Sequence, residues 1–333
     1  MMGPGHLTGV AACRRGLTGL AILAAVCAMD AAARAEDYPT RPIRIIVPTG
    51  PGGSYDVVAR IVGDQLSRPL GQAVVVENRT GAGTIVGTQS VITSAPDGYT
   101  LLAGGLGNIV FNASLYKKVP YDALTQLVPI AIIYKFEYML VGSKDLPYSN
   151  VKDLIAAAKS KPNALNLATA GVGTGQQLAA VAFMQTTGTK LLEVPYKGAA
   201  AVYTDLLAGR VDVFFDSTTA ALPFVKAGKV KGLAILATQR SKDAPEVPTM
   251  DEAGVHGLEV DSWIGLFAPV GTPKTVIEKL QKTIAAAAPE MKTKFTAVGG
   301  DSMSIPADQL DRFVHSESDK WSKIIKEAGI TLD

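Results

Sequence analysis

Cysteine and histidine are scarce in this chain of 333 residues, which has two of the first and three of the second. Cys13, Cys27 and His6 all fall within the first 27 residues. Beyond them there is no residue for a disulfide, a thiolate nucleophile or a Cys-ligated metal. Basic blocks are missing as well. The 32 Lys and Arg are interspersed with 30 Asp and Glu, which argues against a nucleic-acid partner. No GxxxxGK[ST] occurs. Gly50-x-Gly52, Gly81-x-Gly83 and Gly171-x-Gly173 are followed by Tyr55, Val86 and Gln176, where G-x-G-x-x-G needs glycine. NAD and ATP are therefore not expected, and no cofactor or metal is assigned. GxSxG and HExxH are absent too. His256 sits in a loop pattern, and His315 lies on the last helical stretch. With no nucleophile and base to pair, the expectation is that the protein is not an enzyme, with no catalytic residue.

What is present begins with an address. Arg14 and Arg15 form a positive start, GLTGLAILAAVCA (16–28) an apolar run, and Ala33-Arg34-Ala35 a small-x-small cleavage pattern. Residues 1–35 are read as a secretory signal peptide cut after Ala35, because the run is shorter than the ~20 residues that span a bilayer. Removing three of the 32 basic residues and one of the 30 acidic ones leaves 29 of each. The mature chain is thus neutral and is expected in a bacterial periplasm.

The remaining sequence alternates β-branched runs with helical patterns. IRIIV (43–47), Val74–Val76 and Tyr99–Ala103 read as strands. Val57, Val58, Ile61, Val62 and Leu66 recur at helical spacing between the first two, with Gly71 suited to the helix end. The pattern restarts near residue 125. Strands are expected at Val128–Ile133, Tyr138–Val141, Leu165–Thr169, Leu191–Val194, Val211–Phe215, Val230–Ala237 and Leu258–Phe267. Pro273 opens a helix toward Ala288, and a last helix carries Leu310, Phe313, Trp321, Ile324 and Ile325. Such alternation implies an α/β fold of two lobes, each a mainly parallel sheet flanked by helices. Residues 36–130 with 243–333 are expected to form lobe 1 and residues 131–242 lobe 2, with crossings near 128–138 and 236–248.

In open α/β sheets, ligands bind beyond the carboxyl ends of the strands. Three glycine-rich loops lie at such positions. The first is Thr49-Gly50-Pro51-Gly52-Gly53-Ser54-Tyr55-Asp56, in which Ser54 or Asp56 could cap the following helix. The second is Arg79-Thr80-Gly81-Ala82-Gly83-Thr84, and the third is Thr169-Ala170-Gly171-Val172-Gly173-Thr174-Gly175-Gln176. Free N–H groups and small hydroxyls at three helix starts make a plausible carboxylate cradle. Asp216 ends the VDVFF strand, either facing the cleft or capping the helix over 217–227. Lys197, after the preceding strand, could pair with a ligand carboxylate or be solvated.

The segments that carry these loops also resemble a known family. YPTRPIRIIVPTGPGGSYDVVARIVGDQL, VVVENRTGAGTIVGT, PDGYTLLAGG, VPYKGAAAVYTDLLAGRVDVFFD and WIGLFAPVGTP are similar, in order, to the tripartite tricarboxylate transporter solute-binding proteins, the Bug family. The resemblance implies a two-lobed periplasmic binding protein, expected as a monomer, that closes on one small carboxylate. It also implies partner membrane subunits, one large and one small. By that resemblance, one ligand carboxylate meets Gly52, Gly53, Ser54, Asp56, Gly81, Ala82, Gly83 and Thr84. The distal end meets Thr169, Ala170, Gly171, Gly173, Thr174 and Asp216. Tyr55 and the bulky Tyr134–Tyr138 stretch depart from the family pattern. Their rings would suit an aromatic acid, or else interlobe packing. Two alternatives share the sequence: a binding protein that reports to a two-component sensor kinase, and a secreted α/β hydrolase.

Overall fold

The computed structural model describes residues 38–327 and residue 331. The expected signal segment lies outside the described residues. The chain divides into a leading unit, Met1–Thr40, and one compact unit, Arg41–Asp333, which holds every element below.

The compact unit opens with β1 (Ile43–Val47), α1 (Ser54–Leu70), β2 (Val74–Asn78), α2 (Ile85–Ile92) and β3 (Thr100–Gly105). β1 pairs in parallel with both β2 and β3. Helix α1 packs through Val58, Ala59, Val62 and Leu66, all buried at helical spacing, and ends where Gly71 turns left-handed at φ 67°. A six-residue π-helical turn, Leu106–Phe111, follows β3 and leads through the short α3 (Asn112–Leu115) and α4 (Ala123–Gln126).

β4 (Leu127–Ser143) then runs unbroken for 17 residues, where two separate strands were expected. Tyr134, Phe136 and Tyr138 are buried and alternate with Lys135 and Glu137, so the strand periodicity never lapses. Register shifts at Pro129/Ala131 and Ile132/Tyr134 absorb the twist.

Beyond β4 come α5 (Val151–Ser160), β5 (Asn166–Thr169), α6 (Gly175–Thr187), β6 (Leu192–Pro195), α7 (Ala199–Leu207), β7 (Val213–Ser217), α8 (Thr218–Lys226) and β8 (Val230–Ile235). β5 pairs in parallel with β6 and β7. The chain returns through β9 (Asp261–Pro269), α9 (Lys274–Ala297), β10 (Asp301–Ser302) and α10 (Leu310–Glu327).

The sheet order is β2-β1-β3-β9-β4-β7-β5-β6. Every antiparallel pairing involves β4 or β9, the strands that come in from the opposite half. β4 pairs with β9 from Leu127 to Glu137 and with β7 from Tyr138 onward, so its partners change between adjacent residues. The second half is cored by Met139, Val141, Val202, Leu206 and Phe214. Each such side chain contributes about 1.5–3 kcal/mol by leaving water.

Two helices differ from expectation. α9 continues through Pro289 to Ala297, nine residues beyond the expected end at Ala288. Met291 and Phe295 are buried past the proline, and their burial offsets the backbone hydrogen bond that it removes. In α10, Leu310, Val314, Trp321 and Ile325 are buried but Ile324 is 40% exposed. Adjacent positions point about 100° apart on a helix, so Ile324 and Ile325 do not share its narrow buried stripe.

Candidate functional site

The loops that leave β1, β2, β5 and β6 open onto one cleft, whose inner cavity holds about 20 Å³. Thr49, Gly50, Gly53, Ser54, Tyr55, Thr84 and Gly107 line one wall, and Ala170, Thr174, Gly175, Gln176, Gly198 and Ala199 the other. The outer mouth is formed by Thr80–Gly83, Ala170–Val172 and Pro195–Lys197. The walls touch at the mouth. A Cβ on Gly50 would stand 2.9 Å from the Lys197 carbonyl oxygen, and one on Gly198 would stand 3.1 Å from Gly50 Cα.

Four helices begin at this cleft. α1, α2 and α7 start after Gly53, Thr84 and Gly198, none of which supplies a side-chain cap. α6 starts after Thr174, whose hydroxyl accepts from Gln177 N at 3.4 Å. At α2 the first N–H groups are already taken, Ile85 N by Ala82 O at 3.1 Å and Val86 N by Gly81 O at 3.4 Å. The uncapped first turns of α1 and α7, together with the helix dipoles, give the neutral lining a positive potential suited to an anion. Lys197 is the cation at the rim, and it is exposed.

Of the residues singled out in sequence, Gly53, Ser54, Tyr55, Thr84, Ala170 and Thr174 line the inner cleft, while Gly81, Ala82, Gly83 and Gly171 line its mouth. Gly52, Asp56, Thr169, Gly173 and Asp216 line neither. Asp56 is no helix cap. Its carboxylate is engaged by Arg60 at 2.8 Å, Gly52 N at 3.0 Å and Asn78 Nδ2 at 2.9 Å. Burial alone would raise its pKa, but these donors more than offset that and hold it below the usual carboxylate range.

Asp216 is fully buried behind Gln176, whose Nε2 donates to Oδ1 at 3.3 Å. Ser217 N donates to the same oxygen at 2.8 Å. Oδ2 and the nearby buried Tyr203 hydroxyl each lack a hydrogen bond of good geometry among the described residues, although the phenol still bears on the carboxyl's charge. Burial pushes the Asp216 pKa up to about 7 despite those donors. The cap of α8 is Ser217 rather than Asp216.

Tyr55 and Tyr138 close the cleft floor from opposite halves, with hydroxyls pressed against Gly105 and Gly175. Burial raises both phenol pKa values. Tyr134 and Phe136 instead pack on each other, and Tyr134 also packs on Phe295, 4.9 Å away between ring centroids. That is the interlobe-packing alternative for these two rings. Gly107 and Ala199 were not singled out in sequence. Gly107 has no detectable signal, because nothing marks a π-helical turn after β3. Gly175 and Gln176 close the third loop and both line the inner cleft.

Residues 58–330 match the tripartite tricarboxylate transporter family receptor. Among solved structures, an R. palustris protein, Rpa4515 with adipate, is 33% identical with a TM-score of 0.85, covering 89% of this chain and 100% of its own. The periplasmic binding protein BugD is 34% identical with a TM-score of 0.84, over 89% and 100% of the two chains. MatC from Rhodopseudomonas palustris with bound malate is 30% identical with a TM-score of 0.81, over 86% and 100%. The fold is that of the two-lobed periplasmic binding proteins, a class of receptors with a ligand cleft between sheets. Within that class, the chain belongs to the tripartite tricarboxylate transporter receptor family.

Proposed function

We propose that the protein captures a small carboxylate in this cleft and delivers it, unaltered, to the membrane subunits of a tripartite tricarboxylate-type transporter. The carrying observation is the convergence of four helix starts on a neutral, glycine-lined cleft. The N–H groups after Gly53, in the first turn of α1, hold one carboxylate by charge-assisted hydrogen bonds. Its distal end meets Ala170, Thr174 and Gln176, with Asp216 behind them. The adipate and malate of the two R. palustris relatives support this ligand class. Cleavage after Ala35 releases the mature chain into the periplasm. Lobe 1 comprises residues 36–130 and 243–333 and lobe 2 comprises residues 131–242. Contacts to both favour the closed state.

Isothermal titration with malate, adipate, citrate and nicotinate tests this reading. The expected result is one-to-one binding of at least one acid, recovered chemically unchanged. Refolded, ligand-free protein that gives no heat with any of the four contradicts it.

A further inference from the structure

Each glycine-rich loop is gripped from behind by a side-chain carboxamide. Asn78, at the end of β2, donates from Nδ2 to Thr49 O at 3.1 Å and to Asp56 Oδ1 at 2.9 Å, while Asp56 Oδ2 accepts from Gly52 N. Asn112, on α3, donates from Nδ2 to Gly83 O at 3.0 Å. Gln177, on α6, accepts from Gly173 N on Oε1 at 2.8 Å. Partner chemistry fixes the amide orientations, since a carbonyl can only accept and a backbone N–H can only donate. Asn112 and Gln177 are buried and Asn78 is half-buried.

Each carboxamide is itself anchored. Asn78 is tied to the Asp56–Arg60 ion pair. Asn112 Nδ2 also donates to Tyr121 Oη at 3.0 Å, and Tyr121 donates to Asn108 O at 3.1 Å. Gln177 Nε2 donates to Glu193 on β6 at 2.5 Å. The loops they hold contain left-handed glycines, Gly52 at φ 82°, Gly83 at φ 57° and Gly173 at φ 76°. Glycine loses more freedom on ordering than any other residue, so such loops would give up affinity if the ligand had to order them.

We infer that Asn78, Asn112 and Gln177 are positioning residues that set the three loops in binding geometry before the ligand arrives. None lines the cleft or its mouth. They act through the backbone that does, and the affinity part of the inference rests on the carboxylate reading above.

The Gln177–Glu193 pair gives the sharpest test, because its two side chains can be exchanged. Gln177→Ala removes the acceptor for Gly173 N–H. The paired exchange Gln177→Glu with Glu193→Gln restores an acceptor at 177 and a donor at 193. Two readouts are taken on the full chain: amide exchange at Gly173 by NMR, and titration with adipate, malate and nicotinate. Gln177→Ala is expected to speed Gly173 exchange at least about tenfold and to raise the Kd of each binding probe about tenfold, the scale of one lost hydrogen bond. The paired exchange is expected to bring both back to within about threefold of the parent. Glu193→Ala, which cuts only the anchor, is read the same way if Gln177→Ala does not fold. Unchanged Gly173 exchange, or a folded paired exchange that restores neither readout, overturns the inference. A parent protein that binds neither these three acids nor citrate overturns the carboxylate reading instead, and Gly173 exchange still decides the clamp.

Discussion

Asp216 shows how one residue's surroundings become a pH dependence. Its carboxyl is buried, has one oxygen without a partner, and carries a pKa raised from 3.8 to about 7. A group that holds its proton more tightly folded than unfolded loses stability as pH rises from about 4 to about 7, with no further loss above. Asp216→Asn keeps the shape and removes the charge. Its Tm at pH 8 is expected to rise about 2–4 °C above the parent, with the two proteins alike near pH 4. A parent Tm that does not fall between pH 5 and pH 8 relative to the variant contradicts this account. Sequence placed Asp216 at a strand tip but could not tell ligand contact from burial. The Asp56–Arg60 pair follows from i,i+4 spacing on α1, but the Asn78 contact that completes it was not legible, since it depends on how α1 and β2 pack.

Close approach governs the loops and helices around the cleft. Gly50 needs no unusual φ, yet the Lys197 carbonyl leaves a Cβ there only 2.9 Å. Gly50→Ala is therefore expected to prop the mouth open, raising the Kd for a bound acid about tenfold with little change in Tm. Scattering from the acid-saturated variant should give a larger radius of gyration than the saturated parent. Equal affinity and equal radius would count against a direct contact across the mouth. The glycine spacing in the sequence marked all three loops, because left-handed and close-packed backbone selects glycine strongly. It did not mark Gly107, which enters the cleft through the π-helical turn. Nor did it mark the unbroken β4, whose Tyr134–Tyr138 segment reads as a crossing until the alternation of buried rings and charges is seen as strand.

At the scale of the molecule, the two halves share β4 and are also tied at the β7–α8 corner. There Thr218 donates to Gly299 O at 2.7 Å, and the Tyr134 hydroxyl bonds Thr219. Partner exchange within β4 occurs between Glu137 and Tyr138, where β9 gives way to β7. If the loops on either side close over a ligand, the bend is expected in this narrow zone. The alternation of strands and helices made the α/β class legible in the sequence. The antiparallel entry of β4 and β9 was not, because it is set by where the chain returns rather than by local pattern. The most direct test of the carboxylate cleft is a crystal structure with the tightest-binding acid. A carboxylate should lie within hydrogen-bond distance of N–H groups that open α1, with the same molecule touching Thr174 or Gln176. An acid seated elsewhere, or bound to one half alone, would contradict the account.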